Sequence, residues 1–231
     1  MSLDPLQPPI GLLASGGLDS AILLGHLLDS DRRVQPFYID SGLVWQAAER
    51  QALVRYMQAL AGPRLEPLVT LSLPLADLYA QHWSVTGHDI PAADSPDEAV
   101  YLPGRNALLT IKAGLWCQMQ GIGELALATL ASNPFADATP EFFHDLESML
   151  NRSAMVELRV LRPFGQFDKR RVMELGRSFP LQLTFSCIAP VAGQHCGGCN
   201  KCAERQAAFR LIAVADPTEY AGGMAKRKAE S

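Results

Sequence analysis

The first 31 residues contain no lysine or arginine, and their apolar stretches are broken by Asp4, Pro5, Pro8, Pro9 and Asp19. With no basic flank and no span of about 20 apolar residues there, neither a signal peptide nor a membrane segment is expected. A basic excess is missing as well, since 20 Lys and Arg face 24 Asp and Glu for a net charge of −4. That balance argues against a chain whose work is to coat a phosphate backbone, so nucleic acid is not the expected partner. Internal repeats and low-complexity blocks are also absent. Cysteine is scarce and odd in number, with Cys117 alone and Cys187, Cys196, Cys199 and Cys202 close together. An odd, clustered set speaks against a disulfide framework and for metal ligation in a reducing compartment, so the cytoplasm is expected. What remains is an ordinary globular composition, 48% apolar over 231 residues. At about 150 residues per domain this length gives one to two domains, able to bury roughly 70% of the unfolded surface without disulfides.

Periodicity predicts alternating elements. Residues 10–14 form a short apolar run that ends at glycines, and residues 19–28 place Ile22, Leu23, His26 and Leu27 at helical spacing. Further strands are expected over 34–39, 68–73, 124–129 and 156–161, with helices over 45–60, 106–118, 140–151, 169–179 and 203–214. Asp168 stands as an N-cap before the helix at 169. Strands alternating with helices imply an α/β fold with a parallel sheet. Residues 74–103 carry four prolines and the acids Asp94, Asp97 and Glu98, and read as a long surface excursion of the kind that often serves as a lid. Residues 222–231 read as a frayed basic tail.

Between the first strand and first helix lies Ser15-Gly16-Gly17-Leu18-Asp19-Ser20. Free N–H groups at a helix start favour an anion, adjacent glycines let a phosphate come close, and the two serines add hydroxyls. Asp19 is placed to hold a Mg²⁺ shared with the phosphates. Neither G-x-x-x-x-G-K-[ST] nor G-x-G-x-x-G occurs, which disfavours a kinase-like loop and a dinucleotide site. The segment resembles the S-G-G-x-D-S signature of the PP-loop ATP pyrophosphatases, which cleave ATP between its α and β phosphates.

The four clustered cysteines follow C-x8-C-x2-C-x2-C. Four thiolates suit a closed tetrahedral Zn²⁺ site of structural type, and Gly197 and Gly198 permit a tight knuckle. An iron–sulfur cluster uses the same ligands, so spacing alone leaves it open, with zinc favoured. His195 is not needed as a ligand and reads as a surface residue or a support for the site. Cys117, on a helix among Leu115 and Trp116, reads as a buried core thiol.

Taken together, the two ends of the chain resemble the QueC family of 7-cyano-7-deazaguanine synthases, and the likeness extends between them. Leu102-Pro103-Gly104-Arg105-Asn106 is similar to the family's V-P-G-R-N, Thr184-Phe185-Ser186-Cys187 to T-x-S/T-C, Cys196 to Cys202 to C-G-x-C-x-x-C, and Asp216-Pro217-Thr218 to its terminal D-P/K-P-T region. The resemblance implies a PP-loop, adenine nucleotide alpha hydrolase type of α/β domain over residues 1–183. It implies a zinc-binding and helical region over 184–231, and a cytoplasmic homodimer. It further implies an ATP-dependent ligase that adenylates 7-carboxy-7-deazaguanine, lets ammonia displace AMP, and dehydrates the amide to the nitrile. Ala14, Ser15, Gly16, Gly17, Leu18, Asp19 and Ser20, with Asp40 and Asn106, fall to ATP and Mg²⁺ on this reading. Asp19, Ser20 and Arg105 fall to the chemistry, and Cys187, Cys196, Cys199 and Cys202 to the metal. Arg105 has the fork geometry to grip a phosphate or carboxylate, a structural salt bridge being the alternative. Asn106 could instead serve only as its helix's N-cap.

Two stretches depart from the family pattern. Residues 132–143 lack the tyrosine, cysteine and arginine of D-x-S-G-Y-P-D-C-R, and Asp40-Ser41-Gly42-Leu43-Val44-Trp45 lacks the glutamine and histidine of D-Y-G-Q-x-H. Nucleotide-side motifs are kept while substrate-side motifs differ. An alternative therefore stands beside the synthase: the same activation chemistry on another carboxylate, including one on tRNA. An acceptor on tRNA predicts a basic stripe from Arg32, Arg33, Arg152, Arg159, Lys169, Arg170 and Arg171. A third reading, a cysteine knuckle that recognises nucleic acid beside a vestigial loop, is opposed by the acidic charge and the few aromatics near the knuckle.

Overall fold

The computed structural model describes residues 8–221; the expected tail at 222–231 lies outside them. Five strands form one parallel sheet in the order β3-β2-β1-β4-β5: β1 (Ile10–Leu13), β2 (Val34–Asp40), β3 (Val69–Ser72), β4 (Glu124–Ala126) and β5 (Arg159–Leu161). Eight α-helices accompany them among the described residues: α1 (Leu18–Asp29), α2 (Gln46–Ala59), α3 (Ala76–Tyr79), α4 (Trp83–Thr86), α5 (Arg105–Met119), α6 (Pro140–Ser153), α7 (Lys169–Leu175) and α8 (Asn200–Leu211).

Alternate residues of each strand feed different layers, as the period of two requires. Ile10, Leu12 and Tyr38 join Leu23 of α1, Leu53 of α2, Val172 of α7 and Phe209 of α8. Phe37, Ile39 and Leu125 join Ala113 of α5 and Phe143, Leu146 and Leu150 of α6 on the opposite face. Cys117 is fully buried in that second layer, and burial pushes its thiol up to about 12, as expected of a core thiol. Strand order reverses between β1 and β4, the place where parallel sheets open a crevice at their C-terminal edge.

The structure shifts several expected boundaries. The helix expected at 203 begins at Asn200, with Cys199 as its N-cap residue, so the cysteine knuckle runs directly into it. The helix at 169 ends at Leu175, and its start is as expected, with the Asp168 carboxylate accepting from Arg171 N–H at 2.8 Å. The strand expected from 156 is shortened to Arg159–Leu161 because Gln118 and Asn151 side chains engage the preceding backbone at Val156 and Leu158.

Residues 74–103 run mostly exposed over the surface, as expected, but they are anchored to the body beneath. They form α3, α4 and a 3-10 turn at Asp97–Val100, and they bury Leu75, Ser84, Val100 and Leu102. Their apolar anchors pack with Trp45, Phe185 and the cysteines in a third cluster. Asn200 N–H donates to Pro91 O at 3.0 Å and Asn200 Nδ2 to Ser95 O at 2.9 Å, strapping the segment to the start of α8. Scattered anchors with no period hide this packing from sequence.

Candidate active site

The crevice holds a cavity of about 320 Å³ whose wall includes Ser15, Gly17, Asp19 and Ser20 from the loop after β1. Gly16 has φ +77, a conformation that favours glycine, and a Cβ there would lie 2.9 Å from Glu49 O. The loop thus curls against α2. Ser15 and Ser20 tie its ends, with Oγ···Oγ at 3.0 Å and Ser15 N–H donating to Ser20 Oγ at 3.1 Å. Gly17, the N-cap residue of α1, provides no side-chain cap, so the first N–H groups of the helix face the cavity without an intrahelical partner.

Asp19 is not solitary. Lys169 Nζ donates to both of its carboxylate oxygens, at 2.7 and 2.9 Å, and lies 3.9 Å from Glu204 Oε1, itself paired with Lys201 at 2.6 Å. Burial works against the Lys169 charge, but Asp19 and Glu204 outweigh it and hold the ammonium above its ordinary range.

Across the cavity Arg105 opens α5. Its Nε is buried with no hydrogen-bond partner, and the salt bridge considered for it does not form among the described residues. An orphaned guanidinium nitrogen in a cavity wall has a donor ready for an anionic group. Asn106 is not the N-cap of α5; that position belongs to Gly104 at φ +71. Asn106 instead donates through Nδ2 to Asp137 O at 3.0 Å, and its N–H donates to Asp137 Oδ2 at 3.1 Å. The divergent 132–143 segment is thereby fastened to the start of α5. Asp40 closes a turn by accepting from Gly42 N–H at 3.2 Å and is not part of the cavity wall, whereas Ala14 and Leu18 are.

Several wall residues escape sequence reading. Glu49 accepts from Tyr38 Oη at 3.0 Å, and burial pushes its carboxyl up to about 7, opposed by Arg105 and by hydrogen bonds from Tyr38 and Trp45. Trp45 stacks on Trp83 of α4 with centroids 5.6 Å apart. Gln46 fixes the turn after β2: its Oε1 accepts from Ser41 and Leu43 N–H, and its Nε2 donates to Ile39 O. The one signal for Lys169 was its place directly after the Asp168 cap, which puts it in a helix's first turn. Glu49 and Trp83 carried no local signal.

The four cysteine sulfurs all lie within 4.8 Å of one another, with Cys187···Cys199 at 3.8 Å and Cys196···Cys202 at 3.9 Å. A tetrahedron of thiolates about 2.3 Å from a metal has edges of about 3.8 Å, so the set fits a four-thiolate ion site. Backbone N–H groups of Ala189 and Cys196 point at Cys187 Sγ, both at 3.3 Å, and Gly198 N–H points at Cys196 Sγ, at 3.4 Å, the donors a thiolate needs. His195 is buried rather than on the surface, its Nε2 accepting from Ser186 N–H at 3.1 Å. The knuckle also meets the phosphate loop, because Phe185 N–H donates to Gly16 O at 2.8 Å. Arg205, with its side chain fully buried, donates to Thr184 Oγ1, Ser186 Oγ and Leu181 O from the same stretch.

Of the residues expected to form a basic stripe, several are tied to acids. Arg32 and Arg159 share Glu124, Arg33 pairs with Glu66, and Lys169 turns inward to Asp19. No helix among the described residues is long and apolar enough to cross a membrane.

A five-stranded parallel sheet with an S-G-G-x-D-S loop at its switch point and a four-thiol cluster beside it defines a PP-loop-type α/β protein with a C-terminal metal-type site. Residues 11–213 match the model of the family described as queuosine biosynthesis protein QueC, and the chain belongs to that family. The 7-cyano-7-deazaguanine synthase of Methanothermobacter thermautotrophicus is 28% identical over 90% of this chain and 97% of its own length. That of Stutzerimonas stutzeri is 30% identical over 90% of this chain and 96% of its own. Among solved structures, a 4-thiouridine synthetase–RNA complex with bound ATP aligns with a TM-score of 0.49 and 17% identity, over 89% of this chain and 50% of that one.

Proposed function

We propose that the chain is an ATP-dependent carbon–nitrogen ligase that converts 7-carboxy-7-deazaguanine and ammonia to 7-cyano-7-deazaguanine. The observation that carries the reading is convergence on one cavity: the uncapped start of α1, the ammonium of Lys169 and the unpartnered Nε of Arg105. The helix start and the guanidinium offer unpartnered donors to a polyanion, beside a lysine whose charge Asp19 and Glu204 balance.

A carboxylate is a poor electrophile. Its oxygen attacks the α-phosphorus of ATP, pyrophosphate leaves, and the acyl adenylate gains a leaving group. Ammonia attacks the acyl carbon, AMP departs and a proton is lost, giving the amide. In a second activation the amide oxygen attacks the α-phosphorus of another ATP and pyrophosphate leaves; that oxygen then departs with AMP as both amide N–H protons are lost and the nitrile forms. The loop from Ala14 to Ser20 binds the phosphates, with Asp19 placed for the Mg²⁺. Ser20 and Arg105 act on the charge that develops at the transferring phosphoryl group. Asn106 supports this wall through Asp137, and Asp40 supports the turn beside it.

The four-cysteine site holds a structural Zn²⁺, and residues 184–231 form the zinc-binding unit beside a nucleotide-binding unit of residues 1–183. A cytoplasmic homodimer completes the reading, and sedimentation of the purified protein tests the dimer.

One observation favours a second acceptor for the same chemistry. Where the family pattern has histidine, this wall carries Trp45, stacked on Trp83. Turnover with MgATP, ammonium and 7-carboxy-7-deazaguanine, followed by mass spectrometry of the purine and the nucleotide, separates the two. Formation of the nitrile with AMP supports the synthase. Binding of ATP without conversion moves the function to another carboxylate, and absence of both overturns the nucleotide reading.

A further inference from the structure

Lys169 belongs to no motif used so far, yet it is held within the wall of the site. The Asp168 cap fixes it as the first residue of α7, and its side chain is 19% exposed. Its ammonium spans both carboxylate oxygens of Asp19, the same atoms that a divalent cation would take. It also stands between two cavities: the one that holds the phosphate loop, and a neighbouring one of about 360 Å³ that reaches Ser132 and Phe135.

We propose that Lys169 exchanges partners during nucleotide binding, leaving Asp19 for the phosphate oxygens as a divalent cation takes its place on the carboxylate. The inference rests on the nucleotide reading above. As observed, the charges balance locally, Asp19 and Glu204 against Lys169 and Lys201. A divalent cation arriving alone meets an ammonium already seated on both oxygens, and the two cations repel. A cation arriving with a triphosphate brings acceptors for the displaced ammonium, so that neither cation is left without a counter-charge. Lysine suits the exchange, being a point charge with three donors on a flexible stem, where an arginine fork would be tied to one planar geometry. The consequence is reciprocal coupling: nucleotide and cation each strengthen binding of the other, and Lys169 is the residue that enforces it.

The test uses the full-length, metal-loaded chain and two direct binding measurements: Mn²⁺ alone by electron paramagnetic resonance, and ATP by calorimetry with Mg²⁺ or with a chelator of Mg²⁺. Wild type binds MgATP but takes Mn²⁺ alone weakly. Lys169→Met weakens ATP roughly tenfold and tightens Mn²⁺ alone roughly tenfold, since Asp19 is freed. Adding Asp19→Asn to that variant abolishes the gained Mn²⁺ site. Lys169→Arg, which keeps the charge, retains most of the ATP affinity and serves as the folded comparison should the methionine variant misfold; in it, Mn²⁺ alone must remain weak. A static ion pair would also gain cation affinity on losing Lys169 but would leave ATP affinity unchanged, so the exchange requires the gain and the loss together. An unchanged affinity for ATP or for Mn²⁺ in Lys169→Met, or tight Mn²⁺ binding in Lys169→Arg, overturns the exchange while leaving the nucleotide reading intact. A wild type that does not bind MgATP overturns both.

Discussion

Glu49 shows how one buried side chain ties stability to pH. Its carboxyl is raised to about 7 mainly by burial, so between the ordinary carboxylate range and neutrality the folded protein holds a proton that the unfolded chain has released. Stability from this group is therefore fully present below about pH 4.5 and is lost as pH rises through about 7, a fall of about 3 kcal/mol at most. Glu49→Gln keeps an acceptor for Tyr38 and carries no charge to desolvate. The expected outcome is a variant more stable than wild type at pH 8 and nearly equal to it at pH 5, read by urea unfolding of both across that range. Parallel curves for the two proteins would remove Glu49 as the cause. At this scale the sequence was readable wherever local order sufficed: Ser15, Gly17 and Ser20 needed only their neighbours to be recognised. Glu49, Trp83 and the Asp19–Lys169 pair were not, because each gains its meaning from a partner on another element, in the last case 150 residues away.

Single elements were predicted well where a cap or a period announces them, and poorly where anchors are scattered, as in residues 74–103. Two variants probe the elements that deliver the site. In the phosphate loop the glycines have different duties, since Gly16 has a positive φ and meets Glu49 O, while an added Cβ at Gly17 finds only ordinary contacts, the nearest at 3.4 Å. Gly16→Ala should cost about 2 kcal/mol or more and lower Tm by roughly 4–8 °C. Gly17→Ala should leave Tm nearly unchanged and weaken ATP, because its methyl narrows the approach to the helix N–H groups. Equal thermal losses in the two would refute this division. At α7, Asp168→Ala should cost about 1 kcal/mol through the lost cap, with Asp168→Asn close to wild type. The cap also seats Lys169, so the alanine variant is expected to bind ATP more weakly in calorimetry, in proportion to fraying of the first turn.

Across the whole molecule the metal-type knuckle and the phosphate loop form one connected body, joined by a handful of named contacts. Phe185 N–H reaches Gly16 O, Arg205 gathers the stretch from Leu181 to Ser186, and Cys199 caps α8, whose Lys201 and Glu204 line the same cavity as the loop. The cysteine spacing made the four-thiol cluster legible in the sequence; its coupling to the loop was not, since nothing local relates residue 16 to residue 185. If four thiolates hold one ion, removing it leaves like charges crowded within 4.8 Å and releases the stretch that positions α8. Metal sites of this kind supply folding free energy directly, about 10–16 kcal/mol in small zinc-dependent domains. In this larger core part of that energy appears as a lower Tm and part as a weaker nucleotide site. Elemental analysis is therefore expected to find one zinc per chain. Chelation under reducing conditions should lower Tm by more than 10 °C, in line with a loss of several kcal/mol at roughly 2–4 °C per kcal/mol, and should weaken ATP binding with it, both recovering when Zn²⁺ is returned. A lower Tm with unchanged ATP affinity would leave the zinc in place as a local staple and break the link to the loop. A metal-free protein with unchanged Tm would remove the metal site itself.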